Sequence, residues 1–178
     1  LFFDAASLGG IYAMAALGIA LIFGVMNLVN FAHGDYIAVC VFALIVPSSE
    51  AVAVMFLGHA PAVVLIPMLL GIGALLAMAS EYVVFRHFRR ADPVAMMIAS
   101  FALGFVIQNG LLAVYGGRPK AISLWPDLNT PVAIAGASVP LLQVIVIVAT
   151  LVVVCSLALL LKKTRIGLEM RAAAENFT

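Results

Sequence analysis

The segment PLLQVIVIVATLVVVCSLALLL, residues 140–161, contains no charged side chain and decides the fold class of this chain. About 20 predominantly apolar residues are enough for a helix to cross the ~30 Å hydrocarbon core of a bilayer. Three further segments have this character, at about residues 8–29, 62–85 and 93–115. Of the 178 residues, 66% are hydrophobic and 10% are charged. Because the alternation of a membrane barrel strand is absent, we predict an all-α, polytopic integral membrane bundle.

A fifth apolar segment, at about residues 36–46, is too short to cross the bilayer alone. At 1.5 Å per residue it extends only ~17 Å, about half of the hydrocarbon thickness. We therefore expect a short or broken second helix. It either recruits the preceding polar residues to complete the crossing, or it re-enters the membrane. Both arrangements place polar groups at membrane depth, where protein or a water-filled cavity must surround them.

The basic residues predict the orientation of the spans. The loop RHFRRAD, residues 86–92, and the tail KKTRIGLEMR, residues 162–171, carry seven of the nine Lys and Arg. Because short basic loops stay in the cytoplasm, we expect both there, and we expect the turn-rich connection 116–138 outside. Glu81 precedes the basic loop by about one turn and should form an interfacial salt bridge with it.

The stretch NFAHGD, residues 30–35, places polar side chains between two apolar segments. Ionisable groups at membrane depth indicate a functional site, so we assign Asn30, His33, Gly34 and Asp35 to a candidate translocation pathway. Gly34 would let the backbone turn, and a half-helix N-terminus offers N–H groups to an anionic solute. The alternative is that Asp35 only caps the second helix at the cytoplasmic interface.

The fourth span also carries polar residues. Ser100, Gly104 and Gln108 share one helical face, and Asn109 lies beside it. Gln108 and Asn109 could bind a polar solute in the pathway, or they could bridge to a neighbouring helix. Both interpretations remain open from the sequence.

Several function classes lack support. A net charge of +1 and the absence of basic runs interleaved with aromatics argue against nucleic-acid binding. Cys40 and Cys155 stand singly, without the spacing of a metal or redox site. The sequence contains no HExxH or GxSxG motif and no Walker-type GxxxxGK[ST] loop. We therefore expect no metal and no cofactor on this chain.

The tail TRIGLEMRAAAEN, residues 164–176, follows the last span. We predict that the helix breaks at Gly167 and that a short helix-prone run follows, in which Arg171 and Glu175 stand four residues apart. The tail is either a basic stop-transfer segment or a docking helix for a soluble partner.

These motifs resemble a known family. The run LGGIYAMAALGIALIFGVMNLVNFAHGDY, residues 8–36, is similar to the start of the permease subunits of bacterial ATP-binding-cassette importers for branched-chain amino acids. The likeness continues through EYVVFRHFRR, SFALGFVIQN and TRIGLEMRAAAEN, and it covers the N-terminal portion of such a permease. Phe85, Arg86 and His87 stand where the family usually carries Tyr-Arg-Pro.

The resemblance implies a permease of the bacterial inner membrane that works by alternating access and is not itself an enzyme. It would pair with a second, related permease subunit, receive its solute from a periplasmic binding protein, and be driven by two cytoplasmic ATPases that bind ATP and Mg. The tail, residues 162–178, would be the segment that couples to these ATPases. Its matching residues are Thr164, Arg165, Gly167, Arg171, Ala172, Ala174 and Glu175.

Three alternatives stay open. Importers of urea or short amides have similar permeases, so the solute is the least certain part of the interpretation. An ion-coupled secondary transporter should show a second, inverted copy of the broken segment. An intramembrane hydrolase using His33 and Asp35 would need further catalytic groups at the same depth.

Overall fold

A computed structural model describes residues 2–26, 29–48, 50–58, 60–89, 91–122, 125–134, 137–165 and 167–170. Contacts divide the chain into two units. Unit 1 comprises Leu1–Val29 and Trp125–Thr178, and unit 2 comprises Asn30–Leu124. Each unit is described by itself below.

Within the described residues, four helices are long and apolar enough to cross a membrane, which confirms the predicted all-α, polytopic membrane fold. They are Phe2–Gly24, Ala62–Phe88, Pro93–Tyr115 and Leu141–Lys163. Many of their large apolar side chains are exposed, for example Val63 at 82% and Leu70 at 69%. Such faces suit contact with lipid, where the helical backbone satisfies its own hydrogen bonds.

The helices are labelled in chain order: α1 (Phe2–Met26), α2 (His33–Phe42), α3 (Ala62–Ser80), α4 (Arg86–Phe88), α5 (Pro93–Tyr115) and α6 (Leu141–Lys163). A π-helical turn, Glu81–Phe85, joins α3 to α4 without a break. A 3₁₀ turn, Pro126–Asn129, precedes two short antiparallel strands, β1 (Pro131–Ile134) and β2 (Ala137–Pro140). This hairpin begins within the connection 116–138, which we predicted only as a turn-rich loop, and extends two residues beyond it.

In unit 1, α1 and α6 pack side by side and run in the same direction. Near their N-termini, Gln143 Nε2 donates to Asp4 Oδ1 over 2.8 Å. Further along, a Cβ at Gly10 would lie 2.9 Å from Thr150 Oγ1, so the glycine permits the close approach. The helix α1 begins at Phe2, six residues before the predicted start of the first span. Residues 27 and 28 of that predicted span lie outside the described residues.

In unit 2, α2 lies along α5 and runs parallel to it. Two hydrogen bonds join them, from Gln108 Nε2 to Asp35 Oδ1 (2.9 Å) and from Tyr115 Oη to Phe42 O (2.8 Å), and a third, from Phe31 N to Ser100 Oγ (3.2 Å), joins the turn before α2 to α5. The rings of Phe42 and Tyr115 also pack, with centroids 4.8 Å apart. The start of α2 is therefore near the middle of α5, and both helices end at the same level.

The second helix is shorter than predicted at its C-terminal end. It was expected at about residues 36–46, but α2 spans His33–Phe42. The chain leaves the helix there because Val46 N donates to Val54 O over 2.8 Å and Ile45 pairs with Met55. These non-local backbone bonds replace the helical ones, and they could not be inferred from the apolar run.

The end of the third span carries the predicted salt bridge. Glu81 Oε1 accepts a hydrogen bond from Arg89 Nε over 2.8 Å, which confirms the pairing with the basic loop. The guanidinium of Arg86 lies 5.3 Å from the centroid of the Tyr82 ring. The π-helical turn carries the helix onward to Phe88, three residues beyond the predicted end.

Local signals set the limits of α5, which begins and ends where predicted. The Asp92 side chain accepts a hydrogen bond from Val94 N over 2.8 Å, and Pro93 occupies the first helical position. Gly116, with φ 76°, ends the helix. Both ends of α5 are set by adjacent residues, so positions along α5 can be used to locate the residues of α2 that lie beside it.

Candidate functional site

Asn30 makes the turn that starts α2. Its Oδ1 accepts a hydrogen bond from Ala32 N over 3.0 Å, and its carbonyl accepts one from His33 N over 3.3 Å. Asn and Asp side chains form turns of this kind by bonding their own backbone two residues on. The expectation that Gly34 makes the turn is wrong, because Gly34 lies within α2 and is not among the described glycines with positive φ.

The alternative in which Asp35 caps α2 is also wrong. Ala32 occupies the N-cap position, without a side-chain cap, and Asp35 lies in the first helical turn. Its carboxylate instead accepts the hydrogen bond from Gln108 on α5. Of the two roles left open for Gln108 by the sequence, a bridge between helices is therefore present.

Gly104 makes room for this carboxylate. A Cβ at position 104 would lie 2.5 Å from Asp35 Oδ2 and 3.6 Å from Ala32 Cα. Gly104 is buried, as is Ser100 one turn earlier, at 1% exposure. The NFAHGD stretch therefore packs against the face of α5 that carries Ser100, Gly104 and Gln108.

The depth of the site follows from α5. Gly104 is the middle residue of its 23, which span ~35 Å at 1.5 Å each. Because α5 has the length and composition of a membrane span, we expect Asp35, which lies beside its midpoint, to be close to the middle of the bilayer. From there the ten residues of α2 extend ~15 Å, as far as the end of α5.

A cavity of about 160 Å³ lies beside the carboxylate. Its lining residues come from both helices and the turn before α2: Phe31, Asp35, Phe101, Gly104, Phe105 and Gln108. A second, apolar cavity of about 320 Å³ shares Phe31 and Phe101 with it and extends along the N-terminal half of α5. The site therefore combines one carboxylate and one amide with aromatic walls.

The other predicted pathway residues do not line this cavity. Asn109 Nδ2 donates to Phe105 O of its own helix over 2.7 Å. Asn30 is engaged in the turn, while His33 and Gly34 lie in the first turn of α2 and are not lining residues of the cavity. Sequence reasoning missed the phenylalanines, because Phe101 and Phe105 are ordinary residues of an apolar span and Phe31 is the apolar residue of an otherwise polar stretch.

Thr164 separates α6 from the terminal helical segment, which comprises residue 165 and residues 167–170. Its backbone is extended, with φ −104° and ψ 158°. The hydroxyl donates to Leu160 O over 2.6 Å and accepts from Gly167 N over 3.2 Å. The predicted break at Gly167 is wrong, since Gly167 lies inside the segment and Thr164 caps both helices.

Gly167 instead holds the terminal helical segment against α6. A Cβ there would lie 2.5 Å from Leu161 Cα and 2.6 Å from its carbonyl carbon. The Arg165 side chain is exposed. The remaining predicted coupling residues, Arg171, Ala172, Ala174 and Glu175, lie outside the described residues.

Comparison with known proteins gives a consistent result. A family described as "Branched-chain amino acid transport system / permease component" matches residues 1–178. The high-affinity branched-chain amino acid transport system permease protein BraD of Pseudomonas aeruginosa is 25% identical over 180 residues, covering 96% of this chain and 57% of BraD. The corresponding LivH proteins of Salmonella typhimurium and Escherichia coli are 25% identical over 186 residues, covering 98% of this chain and 58% of each relative. The chain thus spans a little over half the length of these curated relatives. No solved structure matches it.

Proposed function

Because this chain belongs to the family of permease components of branched-chain amino acid transport systems, we propose that it forms part of a pathway for Leu, Ile and Val across the bacterial inner membrane. BraD and LivH are named as high-affinity permeases of such systems. The observation that carries the proposal is the position of the Asp35–Gln108 pair, near the midpoint of α5 and at the start of a half-length helix. Transporter sites are commonly built at the bilayer midplane from discontinuous helices.

The pathway residues of this proposal are Asp35 and Gln108, with the phenylalanines of the cavity as its walls. Asn30 supports them by fixing the turn, and His33, Gly34 and Asn109 border the site without lining the cavity. An ionisable group inside a membrane is costly, at ~2.5–3.5 kcal/mol on insertion scales. The cost of placing the Asp35 carboxylate there is most simply explained if the carboxylate binds the solute.

Transport would proceed by alternating access driven by ATP. The sequence carries no Walker-type loop, so ATP and Mg would be bound by two cytoplasmic ATPase subunits. A second, related permease would complete the pathway, and a periplasmic binding protein would deliver the solute. Membrane lipid would surround the remaining apolar faces.

The terminal helical segment is the proposed point of coupling. Thr164 caps both this segment and α6, and Gly167 packs on the Leu161 backbone. A force applied to the segment by an ATPase would therefore reach α6 through a short, well-bonded junction. The ATPase would contact Arg165 and four residues that lie outside the described part of the chain: Arg171, Ala172, Ala174 and Glu175.

ATP-dependent uptake tests the proposal. The complete permease, assembled with its partner subunits in proteoliposomes, should accumulate labelled leucine when ATP is supplied. Gly167→Trp and Arg171→Glu should each abolish this uptake while leaving membrane insertion intact. The matched control is Arg118→Glu, the same charge reversal in the connection expected outside, which should transport normally. Uptake that persists in both coupling variants would refute the coupling role, and uptake of urea in place of leucine would refute the solute.

A further inference from the structure

We propose that the 160 Å³ cavity beside Asp35 is a recognition site for the ammonium group of an aliphatic amino acid. The inference rests on the proposed function and deepens it, because it assigns a part of the solute to a particular atom of the protein. The ammonium would bind Asp35 Oδ2, and the aliphatic side chain would lie among the phenylalanine rings.

The charge around Asp35 favours a cationic ligand. No Lys or Arg occurs in residues 1–85 or in residues 91–117, so neither α2 nor α5 carries one, and the one basic side chain of these two helices is His33, two residues before Asp35. Within the described part of unit 2, the Asp35 carboxylate accepts a hydrogen bond from the neutral amide of Gln108. A charge in a low-dielectric site is stabilised best by an opposite charge with hydrogen bonds. An ammonium group provides both.

The geometry leaves one carboxylate oxygen available. Oδ1 accepts the Gln108 hydrogen bond, which holds the carboxylate in place. Oδ2 points to the space over Gly104, where the absence of a side chain keeps the α5 surface open. A primary ammonium carries three donors, so it can bind Oδ2 and retain others for the Gln108 carbonyl or water.

The walls of the site suit the rest of such a solute. Phe31, Phe101 and Phe105 form the apolar side of the cavity, and ring faces also attract cations. A volume of about 160 Å³ is close to the ~150 Å³ cavity that accommodates benzene in another protein. The adjoining 320 Å³ cavity is lined by apolar side chains, and it provides further space for a branched chain.

Two leucine analogues distinguish the ammonium from the carboxylate of the solute. 3-Methylbutylamine keeps the ammonium and the branched chain, and 4-methylpentanoate keeps the carboxylate and the branched chain. Each would compete with labelled leucine for the assembled transporter in nanodiscs, without the periplasmic binding protein, whose own selectivity would otherwise intervene. We expect the amine to compete at least roughly tenfold better than the acid, because the acid leaves Asp35 unpaired and adds a like charge.

Asp35→Asn supplies the second test. The amide keeps the size of the side chain and can still accept from Gln108, but it lacks the charge. We expect leucine and the amine to bind at least roughly tenfold more weakly. The matched control is Asp92→Asn, the same change at the N-cap of α5, where an amide caps nearly as well. This control should bind leucine as the wild type does.

The outcomes separate this inference from the proposed function. If leucine is taken up with ATP but the acid competes as well as the amine, or if Asp35→Asn binds leucine normally, the ammonium site is refuted and the transport role stands. The absence of measurable leucine binding to the wild-type transporter at millimolar concentration also refutes the site. If ATP drives uptake of urea and not of leucine, the solute of the proposed function is refuted as well.

Discussion

Replacing Gly167 by alanine should detach the terminal helical segment from α6. The new Cβ would stand 2.5 Å from Leu161 Cα and 2.6 Å from its carbonyl carbon, whereas non-bonded carbons prefer ~3.5–4.0 Å. The overlap of about 1 Å is with helix backbone, which cannot rotate away as a side chain can. Overpacking of this kind costs ~1–3 kcal/mol.

Two smaller effects of this substitution roughly cancel. Moving the segment breaks the hydrogen bond from Gly167 N to Thr164 Oγ1, worth ~1 kcal/mol, while alanine gains up to ~1 kcal/mol in helix propensity. The state in which the terminal helical segment packs on α6 should therefore be destabilised by ~1–3 kcal/mol. Its population relative to the detached state then falls by roughly 5- to 150-fold.

Limited digestion with trypsin measures this population. Cleavage after Arg165, at the start of the segment, needs the segment to leave α6, and the rate follows the detached population when reattachment is fast. We expect the rate to rise roughly 5- to 150-fold in Gly167→Ala. Gly71→Ala, in α3, is the control, since a Cβ there meets nothing within 4 Å. Equal cleavage rates in the wild type and Gly167→Ala would refute the packing of Gly167 on Leu161.

Three further substitutions test the packing of unit 2 through the midpoint of thermal unfolding. Gly104→Ala should displace the Asp35 carboxylate and be ~1 kcal/mol less stable than Gly34→Ala, which gains the same helix propensity, since the obstructing atom lies at the end of a side chain. Tyr115→Phe removes the hydrogen bond to the Phe42 carbonyl and should cost ~0.5–1.5 kcal/mol. Glu81→Gln should cost at most ~1 kcal/mol, and less at high salt, because the arginine partner is 66% exposed and the glutamate 40%.

Matched variants control each of these changes. Gly34→Ala adds a Cβ in open space within α2 and should be at least as stable as the wild type. Tyr12→Phe and Glu50→Gln alter exposed side chains and should leave the midpoint unchanged. If Gly104→Ala unfolds at the same temperature as Gly34→Ala, the contact between Asp35 and α5 is refuted.

Local signals allowed α5 to be predicted with correct limits. Asp92 and Pro93 specify its start, and Gly116 specifies its end, through capping and φ preferences that depend on adjacent residues alone. The Glu81 salt bridge is predictable for a similar reason, since both partners lie on one helix and the loop that follows it.

Other features depend on contacts between distant parts of the chain. The C-terminal limit of α2 is set by the pairing of Val46 with Val54, which an apolar run does not reveal. The role of Gly167 depends on the approach of the Leu161 backbone, although the sequence predicts a break nearby. The cavity walls were missed because Phe31 and Phe101 become a site only when α2 lies on α5.

The sequence and the structure together explain why a polar stretch interrupts such an apolar chain. A ten-residue helix starting at the cytoplasmic surface would place Asp35 in the headgroup region, where a carboxylate costs little and needs no partner. The structure instead starts α2 at the middle of α5, with Asn30 forming the turn and Gln108 donating to the carboxylate. At that depth a charge costs ~2.5–3.5 kcal/mol on insertion scales, and a neutral amide offsets only part of it. The unbalanced remainder is what a cationic solute group would neutralise, so the same position that costs stability can provide selectivity.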